Sequence, residues 1–335
     1  MNRPKRTLRL SAAAAALLLG AVGTAGCGTR GSDGAASAPT AEAAISRADA
    51  LAVVNRYDST NNQVNDAQDS AGLSGIEAEP LLTADIAWMR ISKQLNQPVA
   101  PINDQGITVY PTTGTAFPHW FLAVSSRSQG GVPFPGPTYR VFVQQAAGAP
   151  YLAAYSLTVT GPVPKIAVDA RGTATAVPGS DGLLLSPDSL ATGILAHYQQ
   201  NLVDKDAFAH SGPLDENLSN GYALGTKALN GRGTTLTRTL DHALPHTFAV
   251  RTEGGGVLAF TSDVLTDTLT PIKADGTVSL SAKGREAAQL GKPDGATANR
   301  FTISRLETFL THIPTGSAGT KAQVLGYSEV PTTVN

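Results

Sequence analysis

Cysteine is almost absent: the 335 residues contain one, Cys27. No disulfide is possible within one chain, so the fold rests on its core. Methionine and tryptophan occur twice each, aromatic residues make up 6 % and charged residues 15 %. Alanine, glycine and threonine fill the gap and point to a core of small side chains. An excess of charge is lacking too, since 25 basic against 26 acidic residues leave a net charge of -1 with neither sign gathered in a block. Nothing here attracts nucleic acid. Beyond residue 27 no apolar run approaches the roughly 18 residues of a membrane span.

Several catalytic signatures are missing as well. There is no Gly-x-Ser-x-Gly elbow, and Gly72-Leu73-Ser74-Gly75 has the wrong spacing for one. Ser92-Lys93 does not supply the Ser-x-x-Lys of β-lactamase-like chemistry. Gly221 to Lys227 has too few residues between its glycines for a phosphate loop and no Gly-Lys-Ser/Thr.

What is present begins at the N-terminus. Arg3, Lys5, Arg6 and Arg9 form a basic head, Leu10 to Val22 is almost unbroken apolar sequence, and Thr24-Ala25-Gly26-Cys27 closes it with small residues. That is the pattern of an export signal, with an apolar stretch too short to stay as a span of about 20 residues. Lys5-Arg6-Thr7-Leu8 carries no Arg-Arg pair, which favours general secretion over the twin-arginine route. The ending resembles the lipobox of bacterial lipoproteins, with Thr24 where leucine is commonest. The resemblance implies cleavage before Cys27 and acylation of its thiol, which makes Cys27 the expected lipidation site and the membrane the expected partner. Acyl chains anchor at roughly 0.8 kcal/mol per buried methylene. The other reading is an ordinary secretory signal cut after Thr24-Ala25-Gly26.

The organisation expected is a signal peptide at 1–26, a flexible tether at 27–40 and two α+β domains at 41–178 and 179–335. The tether lacks bulky apolar residues, and its r.m.s. span is on the order of 20 Å. Ala43, Ala50, Val53, Val54 and Tyr57 share one helical face, and Leu81 to Leu95 reads as a second helix. Strands are expected from about Ile107, at Trp120 to Val124, and in a hairpin of Tyr139 to Val143 with Tyr151 to Thr160; Gly130 to Pro137 reads as a loop, and Ile166 to Val168 as a short strand. After the turn-rich Val177 to Gly182, Ser186-Pro187-Asp188 starts a helix with Leu190, Ala191, Ile194, Leu195, Tyr198 and Leu202 on its apolar face. Strand-like pieces follow through Gln323 to Val330, with few helices after Leu202 and a loop over 282–300.

The halves share an outline. Ala50-x-x-Val53-Val54-x-x-Tyr57 matches Ala191-x-x-Ile194-Leu195-x-x-Tyr198, 141 residues on. The hairpin through Phe142 and Leu152 to Tyr155 matches that through Phe248 and Leu258 to Phe260, only 106 residues on, so about 35 extra residues would sit in the first half. A helix on a curved antiparallel sheet, twice over, resembles the cone-shaped folds of nuclear transport factor 2 and the cystatins. With the lipobox and tether, the chain is similar to uncharacterised actinomycete lipoproteins with such paired domains. The resemblance implies an α+β fold, possible duplication and no particular activity.

The candidates for chemistry are few. His242 and His246 are four apart, but Pro245 breaks the helix that a metal pair would need. His119, His197, His210 and His312 stand alone. Cone folds can hold an acid beside a tyrosine; Asp263 and Asp267 are the acids considered, with Tyr110, Tyr139, Tyr155 and Tyr198, but ordinary solvated acids at strand ends are the favoured reading of both. The aromatic run His119-Trp120-Phe121 suits an apolar pocket or a core strand. No catalytic, metal or cofactor residue is assigned. The expectation is a non-catalytic envelope lipoprotein binding an envelope protein or a small ligand. The alternatives are a cone-pocket enzyme, isomerase- or hydrolase-like, with an Asp or His general base, and a solute-binding lipoprotein.

Overall fold

In the computed structural model the described residues are 43–114, 116–200, 207–209, 213–245, 247–280, 291–292 and 295–335. The signal, the tether, Cys27, His210 and His246 lie outside them. Helix α1 (Arg47–Ala67) starts at Ser46, whose hydroxyl accepts from the Asp49 N–H and so occupies an otherwise orphan donor. Its buried face is Ala50, Val54, Tyr57, Asn61 and Val64, so the polar stretch after Tyr57 continues the helix. Ala43 instead bridges Thr113 ahead of the helix. Helix α2 (Leu81–Gln94) follows a short 3-10 turn at Ser70–Gly75.

Strands β1 (Ile102–Pro111), β2 (His119–Gln129), β3 (Val132–Gln144) and β4 (Leu152–Thr158) form an antiparallel meander in that order. The Gly130–Pro137 loop expected from composition is two residues long. Gly130 and Gly131 both have positive φ and turn β2 directly into β3. The prolines at 133, 135 and 137 fit because β3 pairs there with β2 alone, its pairing with β4 starting at Thr138. Residues 165–177 then run beside the second sheet, where Ile166 bridges Thr252 and Ala176 bridges Val250.

The second half opens with a 3-10 turn (Pro187–Ser189), helix α3 (Leu190–Ile194) and a π-helical turn (Leu195–Gln200). Helix α4 (Pro213–Asn230) comes next, where no helix was expected. Strands β5 (Thr234–Ala243), β6 (Phe248–Arg251) and β7 (Val257–Pro271) precede the small pair β8 (Val278–Ser279) and β9 (Thr297–Ala298), and β10 (Phe301–Ile313) and β11 (Gln323–Val334) end the chain. The sheet order is β11-β10-β7-β5, and β6 continues the β5 edge along the other end of β7.

Period-two alternation places the two sheets face to face. On β2, Trp120 and Leu122 point to one core while Phe121 and Ala123 point to another; on β7, Leu258 and Phe260 alternate likewise with Val257 and Ala259. The shared inner core joins Trp120, Leu122, Val141 and Tyr155 to Phe248, Leu258, Phe260 and Leu310. The outer face of the first sheet packs on Ala50, Val54 and Tyr57 of α1, and that of the second on Leu190, Ile194 and Tyr198. Helix α2 sets Ala84, Ala87 and Ile91 against Leu306 and Val330.

The matching of the halves changes in one respect. By position in the meander, β2 corresponds to β7, whose first residues His119 and Val257 are 138 apart, close to the 141 of the helices. The hairpins matched by sequence occupy different places, β3–β4 in one sheet and β6–β7 in the other. Short apolar hairpins look alike wherever they stand in a sheet. Residues 272–300 separate β7 from β10, whereas two residues join β2 to β3.

Candidate functional site

The outer face of the second sheet carries charge where apolar side chains are expected. Arg238, Asp267, Arg305 and Glu329, on β5, β7, β10 and β11, form a rung that alternates in sign across the sheet. Arg238 donates from Nε and Nη2 to the two Asp267 oxygens at 2.6 and 2.8 Å, and Arg305 Nε donates to Asp267 at 2.5 Å. Arg305 Nη1 and Arg238 Nη1 donate to Glu329 at 2.6 and 3.2 Å. Burial alone would raise the Glu329 carboxyl, but Arg305 and Arg238 outweigh it and hold it down to about 2. The four charges cancel.

Deeper in the same face lies a carboxyl pair. Asp263 and Glu307 are cross-strand partners and both are 0 % exposed. The Tyr327 hydroxyl lies 2.8 Å from Glu307 and 2.7 Å from Glu329, within hydrogen-bond reach of both carboxyl groups. Burial, with Asp263 next in size, pushes Glu307 well above its ordinary range, and burial holds Asp263 at about 7 despite Arg238. Two facing carboxyls in such a site share a proton. The first half repeats the device: Tyr57 donates to buried Glu77 at 3.0 Å, and burial plus the neighbouring Asp85 raise Glu77 to about 10. Asp85 is raised to about 6 by burial, moderated by its bond with Glu77 and by Arg127.

These pairs set the pH dependence of stability. A carboxyl whose folded value is raised favours the folded state while protonated, and that advantage is lost as pH climbs from its unfolded to its folded value. For the Asp263–Glu307 pair that loss begins as pH rises through about 4 to 7. Glu329 acts with the opposite sign, its stabilisation disappearing as pH falls from about 4.5 towards 2. Urea unfolding should therefore show maximal stability in mild acid, near pH 4–5, and a decline towards pH 8; a plateau through pH 8 would contradict the buried acid pairs.

Above the rung is a cavity of about 580 Å³. Its floor is Arg238, Asp267, Arg305, Tyr327 and Glu329, its apolar walls include Leu236, Leu269, Leu280 and Ile303, and Trp88 of α2 closes one side. The roof is α4, through Leu218, Gly221, Tyr222, Gly225 and Leu229, a helical spacing that turns one stripe inward. A Cβ placed at Gly221 or Gly225 would meet no atom within 4 Å, so these glycines leave the space under the helix open. Tyr222 covers the Arg238 guanidinium at 5.7 Å.

A second cavity of about 410 Å³ adjoins the first at Trp88 and Ser328. Tyr57, Asn61 and Asn65 of α1, Asp85 and Ser92 of α2, Arg127 of β2 and Tyr155 of β4 line it. Arg127 and Arg140 are paired with Asp104 at 3.0 and 3.3 Å, and Arg140 also pairs with Asp58.

Of the residues weighed in the sequence, Asp267 is in the floor of the larger cavity but doubly paired, and Asp263 is buried behind it, outside the lining. Tyr155 lines the smaller cavity and exchanges a hydrogen bond with Ser262 at 3.0 Å. Tyr139 and Tyr198 are core residues of the inner and outer layers, and half-buried Tyr110 packs against the inner core. His242 is exposed on a strand beside Asp241, so the helical geometry needed for a metal pair is absent there. His119 stacks on Phe117 at 4.1 Å, Trp120 joins the inner core and Phe121 the α1 layer. Asp85, Glu77 and the arginine rung were missed.

The fold and site define a mixed helix-and-sheet protein with two open antiparallel sheets, richer in strand than helix, and a cavity beneath one helix. The chain belongs to the family DUF8094, a domain of unknown function, which matches residues 41–334. It is similar to an uncharacterized lipoprotein of Streptomyces coelicolor, 25 % identical over 285 residues that cover 79 % of this chain and 78 % of that one. No solved structure matches. Among the described residues no helix is long and apolar enough to cross a membrane.

Proposed function

We propose that the protein is a lipid-anchored extracytoplasmic binding protein that holds a mainly apolar, uncharged group in the cavity beneath α4. The cavity carries this reading: its size is within the range of about 300–1,000 Å³ usual for small-molecule sites, and its walls are apolar. Its one charged surface is a neutral rung, which offers hydrogen bonds without favouring an ion of either sign. The pocket-floor carboxylates are held by arginines, and Glu329 is too weak a base for proton abstraction near neutrality. The signal and Cys27, together with the lipoprotein relative, support export and anchoring. The similar order of helices and strands at offsets of 141 and 138 residues supports two related halves, 41–178 and 179–335.

The binding test uses the unlipidated full chain, Cys27→Ser, titrated with the neutral apolar fluorophore N-phenyl-1-naphthylamine. Saturable binding that quenches Trp88 and loses the quench in Trp88→Phe is expected; Trp120, the other tryptophan, is 8 % exposed in the inner core. A linear, unsaturable signal would defeat the reading. For anchoring, Cys27→Ser should abolish acyl labelling and release the protein from membranes, and unchanged membrane association would refute lipidation.

A second reading has one observation in its favour. Asp85 is a cavity-lining carboxylate bonded to Glu77 and, among the described residues, in no arginine salt bridge, and Tyr57 lines the same cavity. An enzyme using Asp85 as general base would lose turnover in Asp85→Asn, measured in an unbiased isomerase and hydrolase screen.

A further inference from the structure

The smaller cavity has a charge balance of its own. Two charged groups act on Asp85, Glu77 from the segment before α2 and Arg127 from β2, and the ion-pair network of Arg127 adds Asp58 from α1, Asp104 from β1 and Arg140 from β3. Arg127 and Arg140 are matched by Asp58 and Asp104. The Glu77–Asp85 pair holds one proton between two carboxyls and so keeps one negative charge. Glu77, 1 % exposed, has its Oε1 occupied by Tyr57, which leaves Asp85 as the member that faces the cavity. Other polar residues of the lining, among them Asn61, Asn65, Ser92 and Ser156, are neutral.

Trp88 and Ser328 line both cavities, so an elongated molecule passing these two residues would reach from one to the other. From this charge complementarity we infer that the Asp85 cavity receives the ammonium head of an amphipathic amine whose apolar tail lies beneath α4. This rests on the binding reading above and adds the class of ligand. Asp85 accepts the ammonium N–H, Asn61 and Ser156 add acceptors, and the alkyl part passes Trp88 into the apolar space. A carboxylate head would meet Asp85 at close range and be repelled.

The probes are decylamine, decanol and decanoate, each below its micellar concentration, titrated calorimetrically into the Cys27→Ser full chain at pH 7.5. Decylamine should bind at least tenfold more tightly than decanoate, with decanol between. Asp85→Asn should bring the three within about twofold while binding of N-phenyl-1-naphthylamine stays unchanged. The wild-type chain gives a check independent of folding in the variant: the amine preference should disappear below about pH 6, where Asp85 takes up its proton. Decanoate binding as tightly as decylamine, or a preference that survives both Asp85→Asn and pH 5, would overturn the inference. If the fluorophore and all three decyl compounds fail to bind, the α4 cavity reading falls as well; if the fluorophore binds and the head groups are not distinguished, only the Asp85 assignment falls.

Discussion

Replacing Asp267 with alanine is expected to lower the unfolding free energy by about 3–5 kcal/mol, read as a drop in the urea midpoint. Its side chain is 3 % exposed and lies between two guanidinium groups, accepting three hydrogen bonds from them. Without it, Arg238 and Arg305 share Glu329 alone among the ionised carboxylates, and a net positive charge is left under α4. The large effect arises from that stranded charge, because an intact buried pair itself contributes little net stability. Replacing the whole rung, Arg238, Asp267, Arg305 and Glu329, by apolar residues of similar volume should therefore cost less than Asp267→Ala does. A loss below about 1 kcal/mol in the single variant would mean that water screens the rung.

Gly221→Leu should move stability and binding in opposite directions. A glycine in a helix interior is about 1 kcal/mol less favourable than alanine, and leucine is close to alanine, so the variant should gain up to about 1 kcal/mol. Its side chain enters space where a Cβ meets nothing within 4 Å and occupies the roof of the cavity. Affinity for N-phenyl-1-naphthylamine should fall at least about 100-fold, equivalent to about 3 kcal/mol. A variant that is merely damaged would lose both.

Much of the fold was legible because period-two and helical apolar patterns are strong where the core is built. The helix at Arg47–Ala67, that at Leu81–Gln94 and the β3–β4 hairpin all followed from such patterns. Helix α4 was not read because Asn217, Ser219, Asn220, Gly221 and Gly225 are weak helix formers. Pro213 at its start and Leu214, Leu218, Tyr222, Gly225 and Leu229 at helical spacing were the available signal. The acids were read as solvated strand ends, yet Asp263, Leu265, Asp267 and Leu269 alternate in step. That parity places two acids on the apolar face of β7, as it places Arg305 and Glu307 between Ile303 and Phe309 on β10. Which charges meet across strands depends on register, which no single segment specifies. Asp85 and Glu77 are eight residues apart in sequence and become a pair only when α2 folds back towards the turn before it.

In the function proposed above, the space between α4 and the arginine rung is a ligand site. An equilibrium titration of the Cys27→Ser chain and of the same chain carrying Gly221→Leu with N-phenyl-1-naphthylamine, read through tryptophan emission, tests it most directly. One saturable site is expected in the first protein and its loss in the second, with the unfolding midpoint of the second equal or higher. Equal binding in both, or saturable binding in neither, would contradict it.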